Sequence, residues 1–208
     1  MYGLRDDFEG VKHWRLTAPK GRIIYDEGEP ISTFYRVDQG CVRLQVNRED
    51  GRRQILAFLF PGDVFGVESE VVRRAAAEAV TRVELTCFQG SGSGGVCSAD
   101  AAAGLAHAAC EMATALATHL MGLCHTGAER RVRWFLDWAA MRQGCDPVGG
   151  RLDLPMSRRD IADFLGLTPE TLSRTFGRLE ALGEIRVLSA RRLVLRPRDG
   201  GPGALRAA

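Results

Sequence analysis

The sequence predicts an α+β protein with an N-terminal antiparallel β-roll, one long helix suited to dimerisation, and a winged helix-turn-helix at the C-terminus. Three patterns carry that expectation. Short alternating apolar runs separated by turn residues fill the chain from Gly21 to Glu84, Ala99 to His125 is a proline-free stretch rich in Ala, Leu and Met, and Leu154 to Leu179 holds two short helical patterns, each opened by a capping residue.

At 208 residues the chain has room for about two units of the usual domain size of about 100–150 residues. Apolar residues at 45% and charged residues at 26% make an ordinary globular composition with enough material for a core. No run approaches the ~18 apolar residues of a membrane helix, and the opening MYGLRDDFEG is acidic where a signal peptide is basic and then apolar. A cytoplasmic location without membrane contact is expected. Six cysteines, Cys41, Cys87, Cys97, Cys110, Cys124 and Cys145, are scattered along the chain, so free thiols are expected rather than a disulfide framework. Net charge is only +2, yet residues 129–208 hold 15 arginines against 10 carboxylates, while residues 1–128 hold 13 basic against 16 acidic side chains. The C-terminal part is the candidate for a polyanionic partner.

The strand signals are Ile23-Ile24-Tyr25, Thr33-Phe34-Tyr35-Arg36-Val37, Val42-Arg43-Leu44-Gln45-Val46 and Thr81-Arg82-Val83-Glu84-Leu85. Turns between them fall at Asp26 to Pro30, Asp38-Gln39-Gly40, Asn47 to Gly51 and Pro61-Gly62-Asp63, a spacing that suits a small antiparallel roll. Gln89 to Gly95 has too few side chains to pack and reads as a flexible connection. The expected division is a sensor-type roll over 1–98, a dimerisation helix over 99–126 and a DNA-binding unit over 127–208.

Along the long helix Leu105, Ala109, Met112, Leu116, His119 and Leu123 alternate steps of four and three, the pattern of a supercoiling seam. Such a stripe is more often an intramolecular core face than a dimer seam, and it is the module that follows that favours the dimer. There, Ser157 with Asp160 three residues on forms a capping-box start, and Ile161, Ala162, Phe164 and Leu165 supply an inward face that Gly166 ends. Thr168 caps a second helix, Pro169 takes its first position, and Leu172, Phe176 and Leu179 form its buried stripe. Its outward face carries Glu170, Ser173, Arg174 and Arg178 with Thr171 beside them. In a helix-turn-helix the first turns of the second helix meet base edges, where Arg can donate twice to guanine and Glu can accept from cytosine. Pro169, Glu170, Ser173 and Arg174 are therefore the base-reading candidates; Ser157, Arg158, Arg159, Thr168, Thr171 and Arg178 are candidates for phosphate contacts, with solvent as the alternative for the arginines. Glu184 to Leu195 then reads as two short strands meeting at Ser189-Ala190, a wing.

Taken together these residues resemble the Crp/Fnr superfamily of bacterial transcription regulators, and within it the FNR/FixK branch. Gly28, Gly40, Gly51 to Ile55 and Pro61 to Gly66 are similar to the family's cyclic-nucleotide-binding-like β-roll, and Glu170-Thr171-Leu172-Ser173-Arg174 matches the Glu-x-x-Ser-Arg motif of the FNR branch. The resemblance implies a homodimer on double-stranded palindromic DNA, a TTGAT-like inverted repeat, RNA polymerase as the partner of an activator, and oxygen- or redox-linked control. The chain departs from the family in its sensor. No cysteine precedes Cys41 and no Cys-x-x-Cys occurs, Gly66-Val67-Glu68 and Arg73-Arg74-Ala75 stand where cyclic-AMP-binding members have Gly-Glu-Leu and Arg-Ser, and Ser157 stands where FixK-like proteins often carry a redox-sensitive cysteine. DNA binding independent of ligand is expected.

No cofactor or metal is expected. His107 with Cys110, and His119 with Cys124 and His125, do not assemble four ligands of a usual spacing. Trp134 and Trp138 share one helical face and read as packing between the domains. Neither a nucleophile elbow nor a Walker loop, a dinucleotide fingerprint or a His-Glu metal motif is present, so the chain does not read as an enzyme. A small-molecule sensor whose helix-turn-helix contacts protein remains the alternative to a DNA-binding regulator.

Overall fold

The computed structural model describes residues 8, 11–49, 51–68, 71–90, 99–146 and 149–196, and the chain divides into two compact units, Met1–His119 and Leu120–Ala208. Residues 91–95 of the predicted connection, and Cys97, lie outside the described residues. The long helix is no separate unit, because the boundary falls within it.

In the first unit the strands are β1 (His13–Ala18), β2 (Ile23–Tyr25), β3 (Thr33–Gln39), β4 (Val42–Asn47), β5 (Arg53–Leu59), β6 (Val64–Phe65), β7 (Ala76–Ala79) and β8 (Val83–Gln89). They form two antiparallel sheets, ordered β1-β8-β3-β6 and β2-β7-β4-β5. Alternation puts Val37, Val42, Leu59, Phe65, Ala77, Val83 and Leu85 into one buried cluster. Four of these strands, β1, β5, β6 and β7, lie outside the strand signals of the sequence, and two of them owe their form to their neighbours. β1 precedes the stretch that alternates clearly and is exposed over most of its length, so its place comes from pairing with β8. Ala76-Ala77-Glu78-Ala79 has a helix-favouring composition, yet β2 and β4 flank it on both sides and impose the extended form. The tight β3–β4 turn needs its glycine. Gly40 has φ +88°, and a Cβ there would stand 2.3 Å from the Arg82 carbonyl oxygen and 2.7 Å from Thr81 Oγ1, which itself accepts from the Cys41 amide.

The helix α1 (Ala99–Leu123) begins in the first unit. Its larger inward side chains are used by the roll: Leu105 packs on the cluster of Phe8, Phe34, Val64, Phe88 and Ala108, and Met112 on the main cluster. His119 is buried and Leu123 half-buried. This corrects the predicted seam, since of its six residues only Ala109 and Leu116 remain exposed. A second four-three stripe, Ala102, Ala106, Ala109, Ala113, Leu116 and Leu120, lies open instead, with Leu116 at 39% and Leu120 at 62% exposure.

The second unit comprises α2 (Ala128–Arg142), β9 (Arg151–Asp153), α3 (Arg158–Leu165), α4 (Pro169–Ala181), β10 (Ile185–Ser189) and β11 (Arg192–Leu195). The wing is a three-stranded antiparallel sheet ordered β10-β11-β9; β9 adds a three-residue strand to the two predicted. Trp134 and Trp138 were expected between the domains, and the structure corrects this. They stack on each other and on Phe164 of α3, inside the second unit.

Gly40→Ala is expected to destabilise the protein by more than about 1 kcal/mol, because it adds left-handed strain to a backbone collision. A urea midpoint equal to that of the unaltered chain would contradict this account of the turn.

Candidate nucleic-acid interface

Local chemistry sets the two helices of the reading module. Ser157 opens α3 with a complete capping box: Asp160 donates its amide to Ser157 Oγ at 3.1 Å, and Asp160 Oδ2 accepts the Ser157 amide at 3.0 Å and the Ser157 hydroxyl at 2.7 Å. Gly166 closes that helix in the left-handed conformation at φ +61°, where a side chain would be strained. Two residues on, Thr168 caps α4 by accepting the Thr171 amide at 3.2 Å, and Pro169 occupies the first turn. Leu172, Thr175, Phe176 and Leu179 are buried, with the Thr175 hydroxyl donated back to the Thr171 carbonyl at 2.8 Å. The buried face fixes the roll of α4 about its own axis.

Consequently Glu170, Ser173 and Arg174 are exposed together with Pro169, and no hydrogen bond or ion pair occupies these three polar side chains among the described residues. The six phosphate candidates divide. Arg159 is exposed, as is Thr168, whereas Thr171 is half-buried and its hydroxyl lies 3.0 Å from that of Thr168. Ser157 is spent on its capping box. Arg158 departs most from the expectation: its guanidinium stands 3.6 Å from the Phe176 ring centre, Nη1 is buried without a partner, and burial lowers its pKa. It braces α3 on α4 rather than projecting into solvent. Arg178 remains largely exposed but meets Glu129 at 3.0 Å. Glu129 also holds Arg133 at 2.7 Å, and Arg133 pairs with Glu184, whose hydrogen bond raises the arginine pKa. This chain of charges ties α2 to the end of α4 and the start of the wing; Glu129 and Arg133, four residues apart, were legible as a helical pair, whereas the links to Arg178 and Glu184 have no local spacing to reveal them.

Residues 129–200 match the Crp-like helix-turn-helix domain family, and residues 15–97 the cyclic nucleotide-binding domain family. The chain is 39% identical to the nitrogen fixation regulation protein FixK of Rhizobium meliloti over 87% of its own length and 82% of that protein's, and 39% identical to the FixK of Azorhizobium caulinodans over 85% and 73%. The chain belongs to the FixK-like branch of the Crp/Fnr family. Its fold agrees with the structure of FixK2 from Bradyrhizobium japonicum at a TM-score of 0.80 and 37% identity, covering 90% of this chain and 94% of that one. It is accordingly a DNA-binding transcription regulator and not an enzyme. Among the described residues no helix is long and apolar enough to cross a membrane.

The roll of this FixK-like chain holds a buried arginine, Arg73. Arg73 is 3% exposed, and its guanidinium donates to the Gly66 carbonyl at 2.7 Å and to the Thr33 carbonyl, lies 3.6 Å from Glu68, and stacks 4.1 Å above Tyr25. Tyr25, Tyr35 and Phe65 pack ring against ring beside it. The Gly66 and Thr33 carbonyls and the Glu68 carboxylate answer part of the charge, Nε is buried without a hydrogen-bond partner, and neither of the next two residues, Arg74 and Ala75, carries a hydroxyl. Nor is Cys87 a reactive thiol, since burial pushes its pKa up to about 11.

Cyclic AMP is expected to leave the thermal midpoint unmoved. A ligand held at a hundred times its Kd would add about 2.7 kcal/mol to the native state, so a rise of several degrees in calorimetry would show that the pocket opens.

Proposed function

We propose that the chain is a cytoplasmic, homodimeric regulator that binds a TTGAT-like inverted repeat and activates transcription through RNA polymerase in oxygen- or redox-linked gene control. The observation that carries this reading is the exposed set Glu170, Ser173 and Arg174 on the first turns of α4, left without internal partners while Leu172, Phe176 and Leu179 turn inward. Those turns are the ones that reach base edges in the major groove. Glu170 and Arg174 lie four residues apart on one face, which suits a cytosine amino group and a neighbouring guanine read as a pair.

Dimerisation is supported by the open stripe on α1. Ala102, Ala106, Ala109, Ala113, Leu116 and Leu120 follow a four-three period on the face that the roll leaves uncovered. A two-fold dimer would present two copies of α4 to two half-sites, as an inverted repeat demands. The preference for TTGAT, the activating role and the link to oxygen rest on the resemblance to the FNR/FixK branch.

Arg174→Ala should cost about 1–3 kcal/mol at the guanine of the half-site and much less on random duplex. Arg159→Ala should weaken all sequences alike and reduce the salt slope by about one unit. A titration in which Arg174→Ala lowers specific and random binding by one common factor would remove it from the base-reading role.

Leu120→Glu puts a charge at the C-terminal end of the open stripe, on its most exposed leucine, and is expected to yield monomers with weakened binding to the full palindrome. Light scattering that still reports a dimer, with operator affinity intact, would place the interface elsewhere.

A further inference from the structure

The final turn of α1 belongs to the second unit, which begins at Leu120, and there it meets α2 at a glycine. Gly122 lies one residue before the helix ends, a helical position in which glycine is among the least favourable residues. Space explains its use. A Cβ at 122 would stand 2.5 Å from Cε3 and Cζ3 of Trp134 and 2.6 Å from its Cδ2, closer than real Cβ contacts come. The six-membered part of the indole therefore rests directly on the α1 backbone. Trp134 is buried and stacks at 6.3 Å on both Trp138 and Phe164, and Phe164 belongs to α3.

A second tie runs alongside. Arg131 donates from Nε to the His125 carbonyl at 3.1 Å, just beyond the end of α1, and from Nη1 to the Leu165 carbonyl at 3.2 Å, at the end of α3. A Cβ on Gly166 would lie 3.7 Å from Arg131 Nη1 and 4.0 Å from Leu123 Cδ2, so the turn between α3 and α4 packs on the same corner. The last turn of α1 is thus bound to the reading module at two points, one aromatic and one through hydrogen bonds, and α3 is a member of both.

We propose that Gly122 and Trp134 form a positioning pair that sets the angle between the last turn of α1 and the reading helix, and through it the half-site spacing that the protein accepts. The inference rests on the dimer and inverted-repeat reading given above. Two copies of α4 on a two-fold dimer must meet half-sites about one helical turn apart, and one base-pair step is about 3.4 Å. Packed interiors shift between discrete arrangements rather than yield smoothly. A side chain inserted at 122 therefore re-seats the corner and carries both reading heads off register.

The test uses the full chain. Gly122→Ala is titrated against palindromes with the preferred spacer and with spacers one base pair shorter and longer, and against a single half-site, with light scattering in parallel. We expect a dimer, half-site affinity within about twofold of the unaltered chain, and a loss of about tenfold in discrimination for the preferred spacer, or a moved optimum. Trp134→Leu added to Gly122→Ala makes room for the methyl group and should restore most of the spacer profile. Where Gly122→Ala yields no folded protein, Trp134→Leu alone empties the same socket and should flatten the profile. An unaltered profile in either folded single variant overturns the proposal, as does a double variant no nearer to the original than Gly122→Ala. An unaltered chain that is monomeric, or indifferent to spacing, refutes the dimer reading and this role with it. A chain that does select its spacing, with variants that select it equally, refutes the positioning pair alone.

Discussion

The second unit depends on one aromatic block. Trp134, Phe135 and Trp138 on α2 and Phe164 on α3 have ring centres 5.5–6.3 Å apart in stacked, tilted and edge-on pairs, and all four are buried. Aromatic pairs add about 0.5–1.5 kcal/mol each beyond the area they bury, and the three pairs made by Phe164 do so across the α2–α3 interface. With α3 pinned, the Gly166 turn and the Thr168 cap leave α4 a single direction, and the Arg158 guanidinium on Phe176 locks the two helices together. The exposure of Glu170 and Arg174 follows from packing several residues away from either of them.

The first unit solves a different problem. Its core is mostly aliphatic and aromatic, yet it keeps a buried cation whose removal from water is expensive unless it is answered on several sides. Arg73 is answered by two main-chain carbonyls, a carboxylate and a tyrosine face, drawn from β3, from the Gly66–Glu68 segment and from β2. One guanidinium thereby cross-links three separate parts of the roll, and Tyr25, pressed against it, has its hydroxyl pKa raised by burial.

What could be read from the sequence was what is decided locally. Ser157 with Asp160, Gly166, and Thr168 with Pro169 act within a few residues of each other, so the limits of α3 and α4 follow from capping chemistry, and the exposed set on α4 follows from its apolar stripe. The face of α1 could not be read that way. Leu105, Met112 and His119 make as regular a stripe as Ala102, Ala106 and Ala113, and only the position of the roll decides which is covered. Similarly, nothing near Trp134 in the sequence reveals that its partner is a glycine twelve positions earlier, and the alanines of β7 are extended because their neighbours are. Arg158 has the outward signs of a DNA contact, being basic and next to a helix start, and only the ring of Phe176 beneath it shows where its charge is spent.

The open stripe on α1 is four alanines and two leucines. At about 25 cal/mol per Å², methyl groups withdraw little area from water, and a pair of chains held through such a surface would separate readily on dilution. Occupancy of a two-half-site operator would then vary with more than the first power of the cellular amount of the chain, because each complex needs two copies and the operator itself helps to gather them. The response would steepen around the concentration at which chains begin to pair, with no small molecule required to produce the threshold.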